Sequence, residues 1–182
     1  MKQIKLALIA ATSLLSLAVN AQIVGVNAFL KGDHVEVGLN KCGVYGTTAA
    51  PPAGYHPNVF GLGFVADSDL DGWDVGSPYD YCGDYFVPGT PEEGWQVQIG
   101  GSVYTNASNG CSPSEIPGSI TTYEFSGGMY TAIWEGTIAS EDISITQTTT
   151  LLIDKTYFVT RVLICNDGPT DLVDVYYNRN VD

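Results

Sequence analysis

Trp95-Gln96-Val97-Gln98-Ile99 decides how this chain folds: large apolar side chains occupy every second position and glutamines fill the gaps. A β-strand sends successive side chains to opposite faces. This spacing therefore supplies one face for a core and one for water, whereas an amphipathic helix needs apolar residues three and four apart. The same period of two recurs in Val35, Val37 and Leu39 against His34 and Glu36, and in Val173, Val175 and Tyr177 against Asp174 and Asn178. Thr, Val, Ile and Tyr crowd these segments, and such side chains suit a pleated, half-buried surface.

Working outward, the second half reads as long antiparallel strands over residues 119–125, 129–136, 142–153, 156–165 and 172–178. Ser126-Gly127-Gly128, Asp154-Lys155 and Asn166-Asp167-Gly168-Pro169 supply turns between them. Five such strands in succession are expected to form one sheet. Shorter strands are expected at 23–30, 34–39, 61–65 and 94–104, separated by loops rich in Pro and Gly. The fold class that follows is all-β, an antiparallel β-sandwich of the ordinary or the larger supersandwich kind, with few or no helices. Two connections are long. Residues 43–58 carry Pro51, Pro52 and Pro57, and residues 67–93 hold most of the clustered acids and aromatics. Loops of this length in compact domains tend to be functional or mobile.

The N-terminus sets the compartment. Lys2 and Lys5 precede an apolar run over residues 6–19 that is too short to span a bilayer, and Val19-Asn20-Ala21 offers small residues for cleavage. Residues 1–21 are thus expected to be a signal peptide, and 22–182 an extracellular domain, secreted or held at the cell surface. No other apolar run is long enough for a transmembrane helix. Losing Lys2 and Lys5 reduces the seven basic residues to five against 20 acidic ones, a formal charge of −15. Such a chain repels phosphate backbones and anionic lipid, which argues against nucleic acid as a partner. It leaves cations, glycans or an extracellular protein. The chain runs out directly after a strand, at Arg179-Asn180-Val181-Asp182, and is expected to be truncated there.

Four cysteines, Cys42, Cys82, Cys111 and Cys165, suit two disulfides in an oxidising compartment. Three pairings exist, and the nearest-neighbour scheme, Cys42–Cys82 with Cys111–Cys165, is the expectation. No Cys-x-x-Cys or zinc-knuckle spacing occurs. Asp67-Ser68-Asp69-Leu70-Asp71-Gly72-Trp73-Asp74 matches the first half of a calcium loop, with carboxylates at alternate positions and Gly permitting a sharp turn. Position twelve, however, is Pro78 where an EF-hand has Glu. Asp67, Asp69, Asp71, Asp74 and the Trp73 carbonyl are therefore the candidate Ca2+ ligands of a shorter site, with Asp80 or Asp84 available to complete it. The alternative is a solvated acidic turn. Trp73, Tyr79, Tyr81, Tyr85 and Trp95, interleaved with aspartates, have the composition of a platform on which sugar faces stack. The same rings would equally fill a sandwich core. His34 and His56 lie in no catalytic context, and Glu92, Glu93, Glu124 and Glu135 offer no opposed pair for glycoside hydrolysis.

The blocks HVEVGLNKCGVYGTTAAPPAGYHPN (34–58), GFVADSDLDGW (63–73), GDYFVPGTPEEGW (83–95) and DLVDVYYNRNVD (171–182), after a signal ending Asn-Ala-Gln, resemble secreted and cell-surface proteins of Bacteroidota. The resemblance implies export as cargo of the type IX secretion system, although the C-terminal sorting domain of such cargo is lacking here. The function expected is binding or adhesion without catalysis, with calcium as a brace. The alternative is a carbohydrate-active enzyme or its carbohydrate-binding accessory module.

Overall fold

Four strands without a break form the longest sheet: β8 (Gly118–Ser126), β9 (Met129–Ile138), β10 (Ile143–Leu152) and β11 (Val159–Asn166), in the spatial order β11-β10-β9-β8. The computed structural model describes residues 22–47, 49–55, 61–66, 85–86, 93–107 and 111–181. The expected signal segment, and the stretch from Asp67 to Asp84, lie outside them. All strand pairs are antiparallel. Among the described residues the single helical turn is a short 3-10 segment, Ala139–Glu141. No helix there is long and apolar enough to cross a membrane.

Alternation builds this sheet as its pattern predicts. Tyr130, Ala132, Trp134 and Ile138 of β9, and Ile143, Ile145, Gln147, Thr149 and Leu151 of β10, are all buried on one face. Two shorter sheets cover that face side by side. One holds β1 (Gln22–Val24), β2 (Asn27–Lys31), β3 (Val35–Leu39), β4 (Phe64–Ala66) and β5 (Tyr85–Phe86) in sequential order. The other places β6 (Glu93–Ile99) between β7 (Ser102–Ala107) and β12 (Val175–Val181). Leu30, Val37 and Leu39 pack against Tyr130, Ala132 and Leu151, while Trp95, Val97 and Ile99 pack against Trp134, Ile143 and Ile145. The architecture is a β-sandwich with one layer split in two.

Three expectations change. The strand expected over 172–178 does not join the long sheet. Residues 175–181 cross to the opposite layer and pair with β6, Arg179 opposite Trp95 and Tyr177 opposite Val97. Segments 23–30 and 94–104 each prove to be hairpins, turned at Gly25-Val26 and Gly100-Gly101, where Gly25 and Gly100 take the positive φ that a tight turn needs. Strand β3 is buried on both faces. Glu36, expected to be wet, is wholly buried and paired to Lys31 at 2.7 Å. The reason is the long connection after β3, whose Tyr55 stacks edge-on against Phe29 (5.8 Å) and donates to the Phe29 carbonyl. That cover seals Phe29, Leu62 and Val65 on the sheet's second face.

Candidate functional site

The long connection after β3 first passes between the two short sheets, and the interior is organised around it. Cys42 forms a disulfide with Cys111, their Cα atoms 5.9 Å apart. The nearest-neighbour scheme is thereby corrected. Residues distant in sequence meet because Asn106, at the end of β7, donates to the carbonyls of Cys42 and Ile116, which draws the segment after β7 onto the turn after β3. Cys165 faces outward on β11, beside Ser144 of β10, as a free thiol. Cys82 lies outside the described residues. Trp95 donates to the Cys42 carbonyl at 3.1 Å and Trp134 to the Lys41 carbonyl at 2.8 Å. Their rings meet edge to face at 5.3 Å. Trp95 is only 1% exposed. It is therefore a core residue and presents no ring face to a ligand, which corrects its place in the expected platform. The space for Trp134 comes from Gly118 and Gly136, where any Cβ would stand 2.2 Å from the ring.

Next to the tryptophans lies a buried charge pair. Arg179 of β12 binds Glu93 of β6 through Nε at 2.5 Å and through a terminal nitrogen at 3.3 Å. Its remaining donors reach Gln147 Oε1 at 2.8 Å and the Gly43 carbonyl at 3.1 Å. The guanidinium lies 4.2 Å from the centroid of the Tyr45 ring, and the Tyr45 amide donates to Glu93 Oε2 at 2.6 Å. Burial raises the Glu93 carboxyl above its ordinary value, against the opposing pull of the Arg179 charge and the Tyr45 amide. Burial alone would lower Arg179, but Glu93 holds it above its ordinary value. The sequence offered Glu93 only as an adjacent acid and Arg179 only as a charge; neither signalled a pair. With Arg179 bound to Glu93, Gln147 and the Gly43 carbonyl, this cluster holds β12 on β6. It has the chemistry of a structural ion pair.

Tyr45 links that interior to the surface. Its hydroxyl bonds Thr149 at 3.0 Å and also Thr160. Its ring meets Phe158 at 5.0 Å and Phe64 at 6.1 Å, both edge-on. Phe64 and Phe158 form part of the wall of an open cleft of about 350 Å³, completed by Val35, Val65, Ala66, Thr156 and Tyr157. Tyr157 is 57% exposed. The cleft lies where β4 releases the acidic segment. The β4–β5 ladder, Phe64 opposite Phe86 and Val65 opposite Tyr85, holds the two ends of that segment side by side.

Asp67, Asp69, Asp71, Trp73 and Asp74, the expected calcium ligands, and Trp73, Tyr79 and Tyr81 of the expected platform lie outside the described residues. Tyr85 belongs to β5 by its backbone. Sequence reasoning missed Tyr157 and Phe158. Residues 156–165 read as one strand, but β11 starts at Val159, so Thr156-Tyr157-Phe158 is a connection that folds towards β4. Comparisons with protein-family models, curated proteins and solved structures found no match to the chain.

Proposed function

We propose that this chain is an exported, non-catalytic binding or adhesion domain that meets its ligand where residues 67–84 leave the five-stranded sheet. The observation that carries the reading is the open cleft at the root of that segment, with an exposed Tyr157 and an aromatic wall of Phe64 and Phe158. Apolar clefts flanked by a few polar groups are where small ligands and chain ends bind, and aromatic faces stack on sugars. The aspartates and aromatics of residues 67–84 add the hydroxyl-binding and stacking groups that a glycan uses. The signal-like residues 1–21 support export.

In this reading calcium braces the acidic segment. The support is the Asp67, Asp69, Asp71 spacing followed by Gly72, because like charges gathered without a counterion destabilise a loop and a divalent ion offsets them. Calcium is expected to raise the melting temperature, and Asp69→Ala with Asp71→Ala to abolish the rise. An identical melt in calcium and in chelator removes the metal from the proposal. For the ligand, a glycan array with the purified protein is the first test. Tyr157→Ala and Trp73→Ala are each expected to weaken any glycan bound while the fold persists. Full binding in both variants refutes the cleft as the site. Hydrolysis of a bound polysaccharide by the chain itself would replace the binding reading with the enzymatic alternative.

A further inference from the structure

The edge strand β12 pairs with β6 on one side, and the described residues place no strand on its other side. Edge strands offer a row of unpaired backbone groups, and proteins blunt them with Lys, Pro, bulges or a covering segment. The edge of β7 is covered in this way. Ala107 donates to the Pro113 carbonyl, Glu115 donates to the Thr105 carbonyl, and Asn106 bridges to Ser114. Strand β8 carries an irregularity between Ile120 and Thr122, and β1 and β5 are only 3 and 2 residues long. Among the described residues β12 has none of these protections. Its seven residues, Val-Tyr-Tyr-Asn-Arg-Asn-Val, include no Pro, Lys or acid, in a chain of net charge −13. It also leaves Val175, Tyr176 and Val181 exposed by 40%, 59% and 48%.

The order of those residues indicates what covers them. Turned antiparallel about Asn178, the strand complements itself. Val175 of one copy faces Val181 of the other, Tyr177 faces Arg179, Tyr176 faces Asn180, and Asn178 faces Asn178. Face is preserved in every pair. The valines, Tyr177 and Arg179 lie on the core side, as their register with Ile99, Val97, Trp95 and Glu93 requires, and Tyr176, Asn178 and Asn180 lie on the outer side. Each pair is apolar with apolar, aromatic with cation or amide, or amide with amide, and none opposes like charges. A two-fold interface requires this self-complementarity, because one patch must serve both subunits. The strand β11, also an edge, does not have it: turned on itself, Val159 would face Asn166 and Arg161 would face Ile164. We infer that β12 is a self-association surface, through which two copies of this chain join their three-stranded sheets into one six-stranded sheet about an axis at Asn178.

Sedimentation equilibrium of the purified protein over a dilution series tests this. A reversible monomer–dimer equilibrium is expected. Asn178→Asp sets two carboxylates opposite one another only in the dimer, so it should weaken association by about fivefold without changing the monomer's melting. As a second measurement, Asn178→Cys in a Cys82→Ser, Cys165→Ser background should give a covalent dimer on mild oxidation, with the Cys42–Cys111 bond intact. A protein that stays monomeric at every concentration, a dimer indifferent to Asn178→Asp, or a cysteine variant that fails to cross-link overturns the inference.

Discussion

Replacing Arg179 with Met probes the interior most directly, because it removes the charge and keeps most of the side-chain volume. The wild-type guanidinium is 16% exposed and Glu93 is 1% exposed, so both ions sit largely out of water. After the substitution Glu93 keeps the bond from the Tyr45 amide. Its Oε1 loses the Arg179 donor, and Gln147 Oε1 and the Gly43 carbonyl lose donors as well. An uncompensated buried ion costs about 3–5 kcal/mol, a large share of the stability of a domain this size. Urea unfolding followed by the fluorescence of Trp95 and Trp134 measures it, since both indoles lie in the core beside the pair. The loss should depend on pH. A carboxyl whose value in the folded protein is raised holds protons that the unfolded chain has released. Its stabilising contribution is complete below the ordinary 4.5 and falls as pH rises through the folded value. Removing Arg179 raises Glu93 further, so the variant should lose progressively more stability than wild type between pH 4.5 and neutrality. Glu93→Leu added to Arg179→Met should recover much of the loss, as an apolar pair leaves no buried charge. A single variant within about 1 kcal/mol of wild type at neutral pH, or a double variant no better than the single, refutes the claim that this is a desolvated ion pair.

Other consequences are as direct. Cys42→Ser with Cys111→Ser opens a loop of 69 residues and should cost about 4 kcal/mol by chain entropy, read as a lower urea midpoint. A non-reducing peptide map should join Cys42 to Cys111 and leave Cys165 open to a thiol reagent, and any other pairing refutes the topology around the disulfide. Gly136→Ala forces a methyl group to within 2.2 Å of the Trp134 ring and 2.6 Å of the Pro117 carbonyl. It should cost about 1–3 kcal/mol by overpacking, seen as a lowered melting temperature; an unchanged melt would show that Trp134 is not held there. Burial raises the phenols of Tyr55, Tyr130 and Tyr177 above the ordinary 10.0. These groups stay protonated in the fold while the unfolded chain ionises, so their contribution is complete below pH 10.0 and is lost above it. An absorbance titration should show a fraction of tyrosine that ionises only as the protein unfolds, and full ionisation of the native protein near pH 10 would contradict their burial.

How far the sequence reached can be seen at particular residues. In β9 and β10 the sequence located the strands, because β-branched and aromatic residues bounded by turn residues are a local signal. In β3 the alternation misplaced Glu36, since the connection that follows the strand folds back and closes the face that the pattern left to water. The platform reading failed at Trp95 for a related reason. An aromatic next to glutamines looks the same whether its ring meets a sugar or another tryptophan, and only the opposing sheet decides. Tyr157 and Phe158 stayed hidden because a strand end cannot be told from a connection by composition alone.

The sequence by itself determined that this chain is built of strands and where most of them run. Each of those follows from side chains repeating every two residues. Tertiary structure alone decided that β12 deserts the long sheet for β6, that Cys42 meets Cys111, and that Glu93 and Arg179 share a dry interior. Partner choice has no local signature: it is set by the free energy of whole layers packed together, in which residues 86 positions apart complete one ion pair.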